Sequence, residues 1–231
     1  MGEHYSKKEL GKDMYQFFIE DENAAEDFVT IEGSDVNHIK NVLRMKPGEK
    51  IRVCTRNGQN YFCSISDITE SFVRAHILEK EAESTELPCR IYLFQGLPKN
   101  DKMEWIIQKT VELGVYEVIP VAMKNCVVKL DDKKAKSKVM RWQAIAESAA
   151  KQSKRSLIPE VKMPMSYKEA VAYAKELDVK LVPYENEHGM AGTKAAMEQI
   201  KKGESIAVFI GPEGGFAPEE IALVQDEMQL I

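Results

Sequence analysis

The chain has 231 residues, is 44% apolar and carries a net charge of −5, the profile of a globular protein with room for one large core or two smaller ones. No apolar run approaches the length of a membrane span and the start, Met1 to Lys8, is polar, which disfavours membrane and secreted classes and makes a cytoplasmic location the expectation. Cys54, Cys63, Cys89 and Cys126, like His4, His38, His76 and His188, are dispersed without C-x-x-C or H-E-x-x-H spacing, so neither a disulfide scaffold nor a metal centre is expected.

Residues 1–13 are polar and read as an N-terminal extension. Tyr15 to Ile19, Phe28 to Ile31, Lys50 to Cys54, Tyr61 to Ile68 and Phe72 to Leu78 are short β-rich stretches separated by turn residues such as Pro47-Gly48 and Asn57-Gly58. They predict a small β-barrel over residues 14–82, with one helix from Asp35 to Leu43 capped by Ser34 or Asp35. The charged run from Glu79 to Glu86, followed by Pro88, predicts a domain boundary.

From residue 88 the pattern changes to strands alternating with helices. Strands are predicted at Arg90 to Gln95, Val118 to Val121, Val179 to Pro183 and Ile206 to Ile210. Helices are predicted at Asp101 to Leu113, Lys133 to Gln152, Ser166 to Leu177, Thr193 to Lys201 and Pro218 to Met228. Asp101 stands where a cap belongs and Gly114 where a helix C-terminal glycine belongs. In the long helix Val139, Trp142, Ala146 and Ala149 form an inward stripe that leaves Lys134, Lys138 and Arg141 outward. Such alternation implies crossover connections and a mainly parallel sheet covered on both faces.

The strand ending at Ile210 runs into Gly211-Pro-Glu-Gly-Gly-Phe216, three glycines within five positions. A segment so poor in side chains presents its backbone to whatever lies against it, yet it would also serve as a plain tight turn. It lacks the G-x-G-x-x-G and G-x-x-x-x-G-K-[ST] patterns, which disfavours dinucleotides and ATP. In an open parallel sheet ligands lie beyond the carboxyl ends of the strands, and that rule gathers Gly96 to Lys99, Tyr184-Glu185 and Gly211 to Gly215 at one edge. Between Lys124 and Arg155 ten basic residues stand against three acidic ones, either a solvated helix surface or a face for a polyanion.

Gly96-Leu-Pro-Lys-Asn-Asp-Lys-Met-Glu-Trp-Ile-Ile-Gln-Lys-Thr-Val-Glu-Leu-Gly-Val115, with Pro120, Val127 to Leu130, Arg141-Trp142, Gln152-Ser153-x-Arg155 and Ile210 to Phe216, closely resembles the RsmE family. These are bacterial small-subunit ribosomal RNA uracil-N3 methyltransferases of the SPOUT superfamily, and the similarity runs from about Met14 to Ile231. His38-Ile-x-x-Val-Leu-Arg44-Met resembles the short helix of the family's PUA-like barrel.

The resemblance implies a PUA-like RNA-binding barrel followed by an α/β trefoil-knot methyltransferase domain over residues 88–231. It also implies a homodimer and transfer of a methyl group from S-adenosylmethionine to N3 of one uridine of 16S rRNA. Gly211, Pro212, Glu213, Gly214 and Gly215 match the family's second cofactor loop, and Tyr184 and Glu185 fall where the preceding one lies. Lys99, Lys102, Arg141, Lys154 and Arg155 stand as candidate RNA contacts beside that cavity, extended by Lys40 and Arg44 of the barrel. No catalytic base is assigned, and Glu112 is read as structural.

The chain departs from the family's pattern at Gln16 and Asn125, where arginine is usual, and at Ser148 and Lys151, where glutamate is usual. The family pattern continues with Leu-Gly-x-Arg-Ile-Leu-Arg-x-Glu-Thr-Ala, whereas this sequence ends at Ile231. The expectation is therefore a SPOUT-type domain truncated at its C-terminal knot segment, with a catalytically inactive or truncated RNA-binding relative as the alternative to the enzyme.

Overall fold

The computed structural model describes residues 14–81, 85–184 and 191–231, so the predicted extension 1–13 lies outside the described residues. The chain divides into two compact units: residues up to Glu86 together with Ala150–Ile158, and Leu87–Ala149 together with Pro159–Ile231.

In the first unit β1 (Gln16–Ile19), β2 (Phe28–Glu32), β3 (Lys50–Thr55), β4 (Asn60–Ile68) and β5 (Phe72–Glu81) form a sheet of order β1-β3-β4-β5-β2. β1 lies parallel to β3 and the other pairs are antiparallel. Alternation decides the faces: Val73 and Ala75 are buried while Arg74 and His76 point outward, and Ile51 and Val53 turn inward beside half-buried Arg52. These residues join Val29, Ile31, Cys63 and Ile65 in one apolar cluster. Ile39 completes the cluster. It comes from the segment predicted as one helix, which is a single α-turn, α1 (Ser34–Asn37), followed by a wider turn over His38–Val42. The cap position of α1 is Gly33, with no side-chain cap, so neither Ser34 nor Asp35 has the predicted role.

In the second unit β6 (Arg90–Gly96), β7 (Glu117–Ala122), β8 (Glu160–Val161), β10 (Val179–Val182), β11 (Ser205–Ile210) and β12 (Gln229–Leu230) form a parallel sheet of order β12-β10-β11-β6-β7-β8. β9 (Met165–Ser166) pairs with β7 beyond β8. The connections run through α2 (Lys102–Glu112), α3 (Asp132–Gln152), α4 (Tyr167–Ala174), α5 (Ala191–Gln199) and α6 (Pro218–Val224). Phe94 of β6 and Phe209 of β11 stack with centroids 4.4 Å apart at the sheet centre. Tyr167 meets Phe209 edge-on.

The start of α4 is set by Ser166, which accepts from the Glu169 amide while the Glu169 carboxylate accepts from Ser166 N. α2 ends as predicted, with Gly114 at φ +103. It does not begin as predicted: the Asp101 side chain makes no cap bond and faces Lys138 at 3.9 Å instead. Along α3 Ala135, Trp142, Ala146 and Ala149 are buried and Lys134 and Arg141 exposed, close to the predicted stripe, with Val139 half-buried.

Candidate cofactor site

Strand order reverses between β6 and β11. From β6 the chain moves to β7 and β8 on one side, and β10 and β11 fill the other, so the carboxyl ends of β6 and β11 border the crevice such sheets use for ligands. The Gly96–Asp101 turn and the Gly211–Ala217 loop meet there. A β-carbon placed on Gly96 would lie 2.7 Å from Pro212 N and 3.0 Å from Gly211 C, so only glycine lets the two strand ends approach this closely.

Three sets of contacts fix the glycine loop. At its front, the Glu213 carboxylate accepts from Lys99 N at 3.1 Å and from Lys102 Nζ at 2.9 Å. The Lys102 ammonium, aided by backbone amides, holds the Glu213 carboxyl down to about pKa 2. At its side, Asn125 Nδ2 donates to Gly214 O at 3.1 Å and Gly215 O at 3.2 Å. At its base, the buried Glu220 carboxylate accepts from Ala217 N at 2.9 Å and from Lys124 N at 2.8 Å. Within the loop Gly215 N donates to Pro212 O at 2.9 Å. The amides of Gly214 and Phe216 make no hydrogen bond within the described residues.

Of the sequence-predicted cofactor residues, Gly211, Pro212, Glu213, Gly214 and Gly215 form this loop. Tyr184 follows β10, its amide bonded to Ile231 O at 2.9 Å, and Glu185 lies outside the described residues. Sequence reasoning did not single out Glu220, whose acidic side chain beside Pro218 was legible only as an early helix residue. It noted Asn125 as a departure without seeing that its amide grips the loop.

The predicted RNA contacts separate into two kinds. Lys99 and Arg44 are exposed and make no ion pair within the described residues, and Arg44 has a positive φ of 54°. Lys102 is taken by Glu213, Arg141 by Glu104 in a two-point contact at 2.7 and 2.8 Å, and Lys40 by Glu70. Lys109 pairs with Glu112, in keeping with a structural role for that acid.

Lys154 and Arg155 belong to the first unit and face inward. Lys154 donates to Met14 O, and burial lowers its pKa. The Arg155 side chain is 7% exposed and lies on Glu86, whose other oxygen accepts from Ser156 N at 2.7 Å. A phosphate would have to break that pair to reach the guanidinium. Gln16, at a departure position, is buried and donates to Arg155 O at 2.6 Å. Lys151, at another, pairs with Asp35 at 3.0 Å. Among the described residues no cluster of His, Cys, Asp and Glu could hold a metal ion, and no helix is long and apolar enough to cross a membrane.

The chain thus carries a parallel sheet with a backbone-lined loop at its switch point and a separate five-stranded sheet, the layout of a ligand-binding α/β domain with an appended β module. Residues 85–231 match the family model for an RNA methyltransferase domain and residues 31–78 that for an RNA methyltransferase PUA domain.

The chain is 37% identical over 201 residues to ribosomal RNA small subunit methyltransferase E of Bacillus subtilis, covering 86% of this chain and 78% of the relative. It is 34% identical over 208 residues to the protein of that name from Mesomycoplasma hyopneumoniae, covering 90% and 85%. The crystal structure of the Neisseria gonorrhoeae ribosomal RNA small subunit methyltransferase E bound to S-adenosyl methionine superposes with a TM-score of 0.80 at 30% identity, over 95% of this chain and 88% of that one. A Legionella pneumophila protein in complex with SAM gives 0.80 at 27% identity, with the same coverage. The chain belongs to the ribosomal RNA small subunit methyltransferase E family.

Proposed function

We propose that the protein transfers the methyl group of S-adenosylmethionine to N3 of a specific uridine in the 16S rRNA of the small ribosomal subunit, acting in the cytoplasm as a homodimer. The observation that carries this reading is the glycine loop at the β6/β11 switch point in a chain of this family. The residues present suit the cofactor. The loop is crowded against Gly96 and Asn125, has its one charged side chain, Glu213, engaged by Lys99 N and Lys102 Nζ, and among the described residues keeps the Gly214 and Phe216 amides open as donors to adenosine or carboxylate acceptors. Gly211 to Gly215 would hold the cofactor together with Tyr184 and Glu185.

When bound, S-adenosylmethionine supplies a sulfonium-activated methyl electrophile. Uracil N3 carries a proton with a pKa above neutrality, so the site must remove it or stabilise the anion it leaves. Glu213 is held ionised by Lys102 at about pKa 2 and is a weak proton acceptor. The Lys99 ammonium, which makes no ion pair among the described residues and sits on a turn whose backbone is fixed by Glu213, can draw RNA phosphate or favour the anionic base.

The test is to incubate small ribosomal subunits lacking the modification with the protein and labelled S-adenosylmethionine, then to digest and separate the nucleosides. Appearance of N3-methyluridine is expected. Cofactor and RNA binding without that product would favour a non-catalytic RNA-binding role. Light scattering of the purified protein checks the dimer.

A further inference from the structure

We propose that Asn125 is a positioning residue for the cofactor loop: its carboxamide, reaching from the turn after β7, locks the Gly214 and Gly215 carbonyls and so sets the direction of the amides left to grip the ligand. This rests on the reading of that loop as the S-adenosylmethionine site.

The geometry is over-determined. One nitrogen, Nδ2, lies within hydrogen-bond reach of two consecutive loop carbonyls, at 3.1 and 3.2 Å. The assignment of that atom as nitrogen follows from its partners, because the flipped amide would set an acceptor against two acceptors. A β-carbon on Gly214 would lie 3.2 Å from the Asn125 β-carbon, so side chain and loop backbone are also in close steric register.

The base from which Asn125 reaches is itself held. The neighbouring Lys124 amide is bonded to the same Glu220 carboxylate that accepts from Ala217 N, which joins the β7 turn to the end of the glycine loop. Cys126 closes the turn on the other side, its amide donating to Met123 O at 3.1 Å. A carboxamide on a fixed stem aiming at two carbonyls leaves the Gly214-Gly215 half of the loop little freedom to rotate its peptide planes. With those carbonyls engaged, the Gly214 and Phe216 amides remain without partners among the described residues. Pre-orienting donors in this way removes an ordering cost from ligand binding.

The test uses the full chain with Asn125→Ala and the isosteric Asn125→Asp, which keeps the shape and removes the donor. Calorimetric titration with S-adenosylmethionine should show Kd raised about tenfold in the alanine variant, the loss of about 1.4 kcal/mol, and by more in the aspartate variant, whose carboxylate repels the carbonyls. The KM for the cofactor should rise in step while the KM for RNA stays within about twofold. Hydrogen exchange without cofactor gives an independent readout: the Gly215 amide, bonded to Pro212 O, should exchange faster in both variants at unchanged melting temperature.

Wild-type cofactor affinity in both variants, or unchanged exchange at Gly215, overturns the proposal. A wild-type protein that binds no S-adenosylmethionine while its variants still show faster Gly215 exchange would sink the functional reading and leave the loop lock standing.

Discussion

Gly96 at the end of β6 and Pro212 at the start of the glycine loop touch backbone to backbone: a methyl group on Gly96 would sit 2.7 Å from Pro212 N and 2.8 Å from its Cδ. Neither neighbour is a flexible side-chain end. Gly96→Ala must therefore push the strand ends apart, at a cost of about 1–3 kcal/mol in stability. Calorimetric titration should show S-adenosylmethionine affinity falling by more than tenfold, and retention of wild-type affinity would show that the contact is not needed.

Glu213 gives a pH signature. Its carboxyl is held below the ordinary value of 4.5, at about 2, by Lys102. A depressed carboxyl stabilises the fold while it is ionised, so this contribution is complete above pH 4.5 and is lost as pH falls towards 2. Thermal melting of the wild type and of Glu213→Gln should differ by a constant amount at neutral pH, and the difference should shrink across that acidic window. A difference that grew on acidification would contradict the assignment.

Lys99 and Arg155 separate surface charge from structural charge. Lys99→Gln should weaken RNA binding and lower the slope of log affinity against log salt by about 0.7–0.9, the effect of one phosphate contact. Filter binding at several salt concentrations measures it.

Arg155→Met should leave that slope unchanged and destabilise the first unit by about 1–3 kcal/mol, because the half-buried Glu86 carboxylate loses its guanidinium partner. Adding Glu86→Leu should recover part of the loss in urea unfolding.

The thiols test burial directly. Desolvation pushes Cys54 and Cys63 up to about 12, whereas Cys89 is partly accessible. Alkylation of the native protein at pH 8 followed by mass spectrometry should modify Cys89 and spare Cys54 and Cys63.

Periodicity and turn chemistry marked out most of this fold. The main strands lie within a residue or two of where alternation and glycine or proline placed them, except β5, which runs three residues further, while α4 and α6 stop three and four residues short of the expected ends. The two-residue strands β8, β9 and β12 were invisible because two residues carry no period. The glycine loop was legible as a composition anomaly, and its clamps were not: Asn125 and Lys99 reach it across about 90 to 115 residues, a pairing that only the folded chain creates. The basic count between Lys124 and Arg155 left a solvated surface and a polyanion face both open, and could not show that Lys124, Lys134, Lys138, Arg141, Lys151 and Arg155 each meet a carboxylate, several from remote sequence.

The return of Ala150–Ile158 to the barrel bears on how this protein could be taken apart or recombined. Its Arg155 carbonyl receives Gln16, its Ser156 hydroxyl receives Asn60, and its Lys151 meets Asp35, so the N-terminal module is written in two separate stretches of the gene. A single cut after Glu86 would release a barrel with these polar groups unanswered. A hybrid that borrowed a relative's barrel while keeping the native Ala150–Ile158 stretch would pair this stretch with side chains it was not matched to. The first module of this protein can be exchanged intact only when both stretches travel together.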